Sequence, residues 1–142
     1  MKLGINGLGR IGKLCLWHHI ARKQFDEIVV NIGRRAGKSI EDIAHYVERD
    51  STYGLLQSYL YGFNSNPVIQ HPNESTGTLT IDGIKVNFLR SHRNPAQIEW
   101  MEHDVKLVVD TTGQFLDPTQ PPDHPNGSVT GHLESGVEKV IV

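Results

Sequence analysis

This chain of 142 residues has one cysteine, Cys15, so no disulfide can form within it and its stability has to come from noncovalent packing. Neither sign of charge dominates: 14 Lys and Arg stand against 16 Asp and Glu, a net charge of −2. That balance supplies no broad basic face of the kind nucleic-acid binding needs. No apolar run reaches the ~20 residues that span a bilayer. The chain opens on a strand pattern rather than a leader, which sets the expectation of a soluble, cytoplasmic protein with no membrane or nucleic-acid partner. Eight histidines are present, yet none is paired with another His, Cys or carboxylate at a familiar metal-ligand spacing, so no metal site is expected. Aromatic residues make up only 7% of the chain, and Trp17 and Trp100 read as packing residues rather than ligand platforms.

What the chain does have is glycine at telling positions. Lys2–Asn6 is a short apolar strand pattern, and Gly7, Gly9 and Gly12 follow as Gly-x-Gly-x-x-Gly. A helical pattern over 10–23 begins at once. This order of strand, glycine turn and helix is what the pyrophosphate of a dinucleotide requires. Gly7 permits the tight turn, Gly9 lets the backbone approach the phosphates, and Gly12 lets the helix pack close to the sheet. The unpaired N–H groups at the helix start then face the anion. Within that helix Ile11, Leu14, Cys15, His18 and Ala21 share one face and are the expected inner side. Cys15 reads there as a small core residue.

The β-branched run at 27–32 completes a βαβ unit. Ser39-Ile40-Glu41-Asp42 resembles a capping box with Asp in the place of the preferred Glu or Gln. It opens a helix with Ile40, Ile43, Ala44 and Val47 inward, and Asp50 reads as a hydrogen-bonding residue at that helix's end. Thr78–Ile81 and Ile84–Phe88 alternate around Asp82-Gly83, which predicts a hairpin with a type I′ turn. A short helix is expected over 95–101, a buried strand over 105–110, an irregular proline-rich loop over 116–128, a short helix near 131–135 and a strand from Lys139. The expected fold class is α/β: a Rossmann-type, doubly wound, mostly parallel sheet with an inserted antiparallel hairpin. The chain stops on Val140-Ile141-Val142 in mid-strand. The expectation is therefore one dinucleotide-binding domain over 1–142, cut from a longer protein.

With these pieces placed, the chain resembles the N-terminal domain of phosphorylating glyceraldehyde-3-phosphate dehydrogenases. Ile5-Asn6-Gly7-Leu8-Gly9-Arg10-Ile11-Gly12 is similar to that family's opening fingerprint, and Asp50-Ser51-Thr52-Tyr53-Gly54 to its Asp-Ser-Thr-His-Gly stretch. Arg93-Asn94-Pro95 with Ile98 and Trp100 resembles its Arg-Asp-Pro…Ile-x-Trp segment. Thr111-Thr112-Gly113-Gln114-Phe115 and His132-Leu133…Gly136…Lys139-Val140-Ile141 follow in the family's order. The resemblance implies that Arg10 and Ile11 present backbone N–H groups to the pyrophosphate beside Asn6 and the three glycines. It places Arg93 beside the adenine end, and Thr111, Thr112 and Gly113 on the floor of the groove. It also implies a glycolytic enzyme and a homotetramer.

Two departures bear on function. An acidic residue is expected about 20 residues past the last glycine, where it would take the ribose hydroxyls of NAD. Here the chain reads Asn31-Ile32-Gly33-Arg34-Arg35. The two arginines suit a 2′-phosphate, which favours acceptance of NADP; NAD remains open, with Asn31 helping the ribose. The 116–128 loop is longer than the family's usual link and is expected to extend into solvent, with contact to another subunit as the alternative. The resemblance further implies a cysteine thiolate and a histidine as the catalytic pair acting on a small phosphorylated aldehyde. Both fall beyond Val142, so no catalytic residue is expected in this chain and it should be inactive alone. Erythrose-4-phosphate dehydrogenase, a dinucleotide-sensing module and a methyltransferase-like domain are the alternatives.

Overall fold

A computed structural model describes residues 1–33, 39–63 and 66–142. Its centre is β1 (Lys2–Asn6), which pairs in parallel with β2 (Glu27–Asn31). The 13-residue helix α1 (Arg10–Arg22) connects them. After β2 come α2 (Ile40–Glu48), the two-residue strands β3 (Arg49–Asp50) and β4 (Gly54–Leu55), and α3 (Leu56–Tyr61). Then follow β5 (Ile69–Asn73), β6 (Thr78–Ile81) and β7 (Ile84–Leu89). The last part holds a 3-10 turn at Pro95–Gln97, β8 (Leu107–Asp110), α4 (Gly131–Glu134) and β9 (Lys139–Ile141).

Seven strands form the main sheet in the order β5-β6-β7-β2-β1-β8-β9. Within it β5, β6 and β7 pair antiparallel and the other pairings are parallel, while β3 and β4 form a separate antiparallel pair. The expected antiparallel excursion inside a parallel sheet is therefore present. Its β6–β7 turn has both Asp82 (φ 47°) and Gly83 (φ 83°) left-handed, as a type I′ turn demands. The order reverses at β1, which has β2 on one side and the much later β8 on the other. Between β1 and β8 lies the switch point of the sheet, where open α/β folds leave a crevice at the strands' carboxyl ends.

Alternation along the strands divides the core into two layers. Leu3, Ile5, Ile28 and Val30 face the larger one, with Leu16, Trp17 and Ile20 of α1 and Ile40, Ile43 and Val47 of α2. Val29, Val108, Val105, Ile98, Trp100 and Val137 make the smaller. Gly4 faces this second layer, where a Cβ would stand 2.8 Å from Val105 Cγ1 and from Val108 Cγ2, so no side chain fits at that position.

The structure corrects the expected inner face of α1. Gly12, Lys13, Leu16, Trp17 and Ile20 are buried, whereas Ile11 and His18 are exposed and Leu14 and Cys15 are only half-buried. The buried side is nearly opposite the expected one, a turn of two positions or ~200° about the helix axis. Gly12 explains the rotation: its missing Cβ would lie 2.1 Å from Gly7 O, so Gly12 must meet the glycine turn and positions 16 and 20 follow it inward. The second helix matches its expectation, with both halves of the Ser39–Asp42 capping box formed. The expected helix over 95–101 is only the single 3-10 turn, and the expected strand over 105–110 starts at Leu107.

β5 and α3 carry too little apolar patterning to stand out in the sequence. β5 is an edge strand, mostly exposed and containing Pro72, and α3 buries only Leu56. The 116–128 stretch has no helix or strand, as expected. It is exposed through Leu116–Thr119, but its far end returns to the protein: Gly127 and Ser128 are buried, and a Cβ on Gly127 would meet Pro95 and Phe115. Expected extension into solvent thus holds for the near part of the loop and not for its end.

Candidate functional site

β1 and β8 end together. Gly7 N donates to Asn31 O (2.9 Å) and Thr111 N to Asn6 O (2.9 Å), which sets the glycine turn against the end of β8. Thr111 Oγ1 lies 3.0 Å from Asn6 O and 3.1 Å from Gly7 O, so that hydroxyl clamps the turn. Gly7 has φ 95°, a left-handed conformation that a side chain would strain, and its missing Cβ would abut Thr111 and Thr112. Gly9 differs: a Cβ there would meet no protein atom within 4 Å. Packing gives no reason for glycine at position 9. Gly9 is also the N-cap of α1 and makes no side-chain cap, so the first-turn N–H groups of Arg10, Ile11 and Gly12 lack helix carbonyls.

Above this turn opens a cleft of about 970 Å³. Its floor is Asn6, Gly7, Gly9, Thr111 and Thr112. One wall is the end of β2, with Asn31, Ile32 and Gly33, and Arg93 beside it. Gly33 (φ 70°) carries Arg93 directly over it, since a Cβ there would sit 2.9 Å from Arg93 Cγ. The sequence reading and the structure therefore agree in bringing Asn6, Gly7, Gly9, Asn31, Gly33, Arg93, Thr111 and Thr112 to one place. Arg10, Ile11, Gly12 and Gly113 do not line the cleft. The first two are exposed at the start of α1, Gly12 packs beneath the turn, and Gly113 is an exposed left-handed residue (φ 67°). Arg34 and Arg35 lie outside the described residues.

The opposite wall escaped the sequence reading. Asp42, Ile43 and Tyr46 of α2 line it, together with Leu8, Gln114 and Phe115. A helical face that serves both core and cleft carries no pattern to distinguish the two uses. Tyr46 is braced from behind by Lys13, whose Nζ lies 4.0 Å from the ring centroid. Lys13 is buried and also donates to Arg49 O (2.6 Å) and to Asp50 Oδ2 (3.3 Å). Asp50 Oδ1 accepts from Thr52 N and Tyr53 N at 2.9 and 3.1 Å, and these bonds, with Lys13, hold its carboxyl below the usual value. It is the hydrogen-bonding residue expected, at the end of α2.

A buried polar chain beneath the floor was also missed. Trp100 Nε1 donates to His132 Nδ1 (2.9 Å), and His132 Nε2 lies 3.0 Å from Asp110 Oδ2. Asn6 Nδ2 donates to the same oxygen at 2.7 Å, and Asn31 Nδ2 donates to Asn6 Oδ1 at 2.9 Å. Burial would raise the Asp110 carboxyl, but hydrogen bonds from His132, Thr112 and Asn6 outweigh it and hold the group below its ordinary value. Asn6 and its partner Asn31 were expected at the cleft, and Asp110, His132 and Trp100 were not.

Cys15 is half-buried among apolar residues of the larger layer, and burial pushes its thiol up, away from the reactive thiolate. Among the described residues no three His, Cys, Asp or Glu side chains gather as a metal site, and no helix is long and apolar enough to cross a membrane.

A family model described as glyceraldehyde 3-phosphate dehydrogenase, NAD binding domain, matches residues 1–118, up to the proline-rich stretch. Glyceraldehyde-3-phosphate dehydrogenase 2 of Bacillus subtilis (strain 168) is 29% identical over 142 residues, which is all of this chain and 34% of that protein. The glyceraldehyde-3-phosphate dehydrogenase of Mycoplasma pneumoniae is 28% identical over the whole chain and 35% of its own length. The chloroplastic glyceraldehyde-3-phosphate dehydrogenase B of Pisum sativum is 28% identical over all of this chain and 27% of itself. The chain thus spans about a third or less of the length of these curated relatives. Glycine turn, switch-point cleft and family match coincide on the same residues, and the chain belongs to the family of glyceraldehyde 3-phosphate dehydrogenase NAD-binding domains.

Proposed function

We propose that this chain holds NAD or NADP in the cleft between β1 and β8 and is the cofactor domain of an oxidoreductase acting on a small phosphorylated aldehyde. The observation that carries the reading is Gly9, a residue with no packing partner at the missing Cβ, at the open N-terminus of α1 and on the cleft floor. The pyrophosphate would sit against the N–H groups of Arg10 and Ile11, with the positive end of the helix behind them. Arg93, stacked over Gly33, would flank the adenosine end. Thr111 and Thr112 would support the other end of the dinucleotide. A bound nicotinamide supplies the hydride acceptor for aldehyde oxidation. The residues of this chain bind and orient, and none of them is assigned to the bond-breaking steps. The thiolate and histidine of such a reaction belong to the remainder of an enzyme of this kind, as does the choice between glyceraldehyde 3-phosphate and erythrose 4-phosphate.

Acceptance of NADP rests on Ile32 and Gly33, which stand where a ribose-binding carboxylate is expected, and on Arg34 and Arg35 just beyond them. Calorimetric titration with NAD and NADP at one salt concentration tests both parts. Binding of either cofactor supports the cleft. Tighter NADP binding, lost in an Arg34→Ala, Arg35→Ala double variant that still binds NAD, supports the phosphate reading. Binding of neither overturns the proposal, and tight binding of adenosylmethionine alone would point to a methyltransferase-like domain.

A further inference from the structure

The buried chain under the cleft has a fixed direction. An indole N–H can only donate, and an ionised carboxylate can only accept. Because Trp100 donates into Nδ1 of His132, the ring proton sits on Nε2, and Nε2–H donates to Asp110 Oδ2. Because Asp110 accepts only, Asn6 must turn its Nδ2 towards it, which leaves Asn6 Oδ1 facing Asn31. Asn31 must then present its own Nδ2, which also donates to His92 O (3.1 Å), leaving Oδ1 to accept from Gly33 N (3.3 Å). On its other oxygen, Asp110 accepts from Thr112 N (2.9 Å) and from Thr112 Oγ1 (2.6 Å). The hydroxyl proton of Thr112 is thereby committed, and its oxygen accepts from Gln114 N (3.2 Å). His132 is fully buried and the Asp110 side chain is 2% exposed, so no solvent competes for these bonds.

We infer that His132 and Asp110 are positioning residues for the cleft: the donor–acceptor polarity set at Asp110 orients Asn31 and Gly33 at the adenosine end and Thr112 at the other end. His132 belongs to α4, beyond the proline-rich loop, and does not itself line the cleft, although its Nε2 lies 3.5 Å from Nδ2 of Asn6 in the floor. The relay joins α4 to β8, β1 and β2, four elements distant in sequence, and fixes which polar atom each asparagine and Thr112 shows to a ligand. A half-satisfied version would leave buried amides without partners, so it is held as a unit. This inference rests on the dinucleotide reading of the cleft.

The test uses ADP-ribose and NAD as probes in calorimetry, together with the backbone and side-chain amide signals of the free chain in nitrogen-edited NMR. His132→Leu removes the donor to Asp110, and Asp110→Asn replaces the acceptor-only group. Each is expected to shift the side-chain amide signals of Asn6 and Asn31 and the Gly33 N–H, and to weaken ADP-ribose binding about tenfold. His132→Gln, which can still donate to Asp110, is expected to stay within about twofold of the unaltered chain. A merely structural role would rank the three variants by melting temperature, without the Asn31 and Gly33 shifts. If His132→Leu fails to fold, the contrast between Asp110→Asn and His132→Gln carries the test. Binding by the unaltered chain with no loss in Asp110→Asn or His132→Leu, and with unmoved Asn31 and Gly33 signals, overturns the relay alone. Failure of the unaltered chain to bind NAD, NADP and ADP-ribose alike overturns the dinucleotide reading and this one with it.

Discussion

The two tryptophans of this chain are both fully buried, and both donate their indole N–H at 2.9 Å, yet they do different things. Trp17 lies in the larger layer and donates to Val47 O near the end of α2. A backbone carbonyl is fixed by its peptide and passes nothing on, so the bond ties α1 to α2 and ends there. Trp100 lies in the smaller layer and donates to a histidine ring, whose second nitrogen is set by what the first receives. The same donor thus serves as a fastener on one face of the sheet and as the start of a polarised chain on the other. What a buried polar group contributes depends on whether its partner can take more than one state.

Removing each indole donor in turn sharpens this contrast most. Trp17→Ala leaves a large cavity between α1, α2 and Tyr59, whose ring lies tilted at 42° with its centroid 5.6 Å away, and is expected to cost about 3–5 kcal/mol in denaturant unfolding. Trp100→Phe keeps most of the volume but leaves His132 Nδ1 buried without a donor. A cost of about 1–3 kcal/mol is expected, with displaced signals at Asn31 and Gly33 that Trp17→Phe does not produce. Equal shifts from the two Phe variants would erase the distinction.

A smaller effect lies in acid. The folded-state value of Asp110 is below its ordinary 3.8, so the stability it contributes is complete above that ordinary value and is lost as pH falls through the lower folded value. Asp110→Asn is therefore expected to flatten the acid limb of the stability curve below pH 3.8, measured as urea midpoint against pH. An unchanged acid limb would mean that Asp110 is not held ionised by the relay. At the low end, Pro118→Ala in the exposed part of the proline-rich loop is expected to change stability by no more than about 0.5 kcal/mol. A larger loss would show that this part of the loop is anchored as its far end is.

The elements that local chemistry dictates were legible. The glycine turn, the Ser39 capping box and the Asp82-Gly83 turn each depend on residues within five positions of one another, and each formed as read. The face of α1 was misread because apolar residues surround most of that helix, and the deciding contact is between Gly12 and the carbonyl of Gly7. Half of the cleft was legible because its floor is the glycine motif. The α2 wall was not, because Ile43 and Tyr46 follow the same helical spacing as core residues.

By itself, then, the sequence determined the strand–turn–helix opening, the antiparallel insertion and the family, since these rest on short-range backbone rules and on motif order. Only the tertiary structure decided the rotation of α1, the second wall of the cleft, and the chain from Trp100 to Gly33. The reason is physical: Asn6 and Asp110 are 104 positions apart and meet only because β1 and β8 are neighbours at the switch point. No rule of spacing along the chain could assign a carboxylate its partners across that distance.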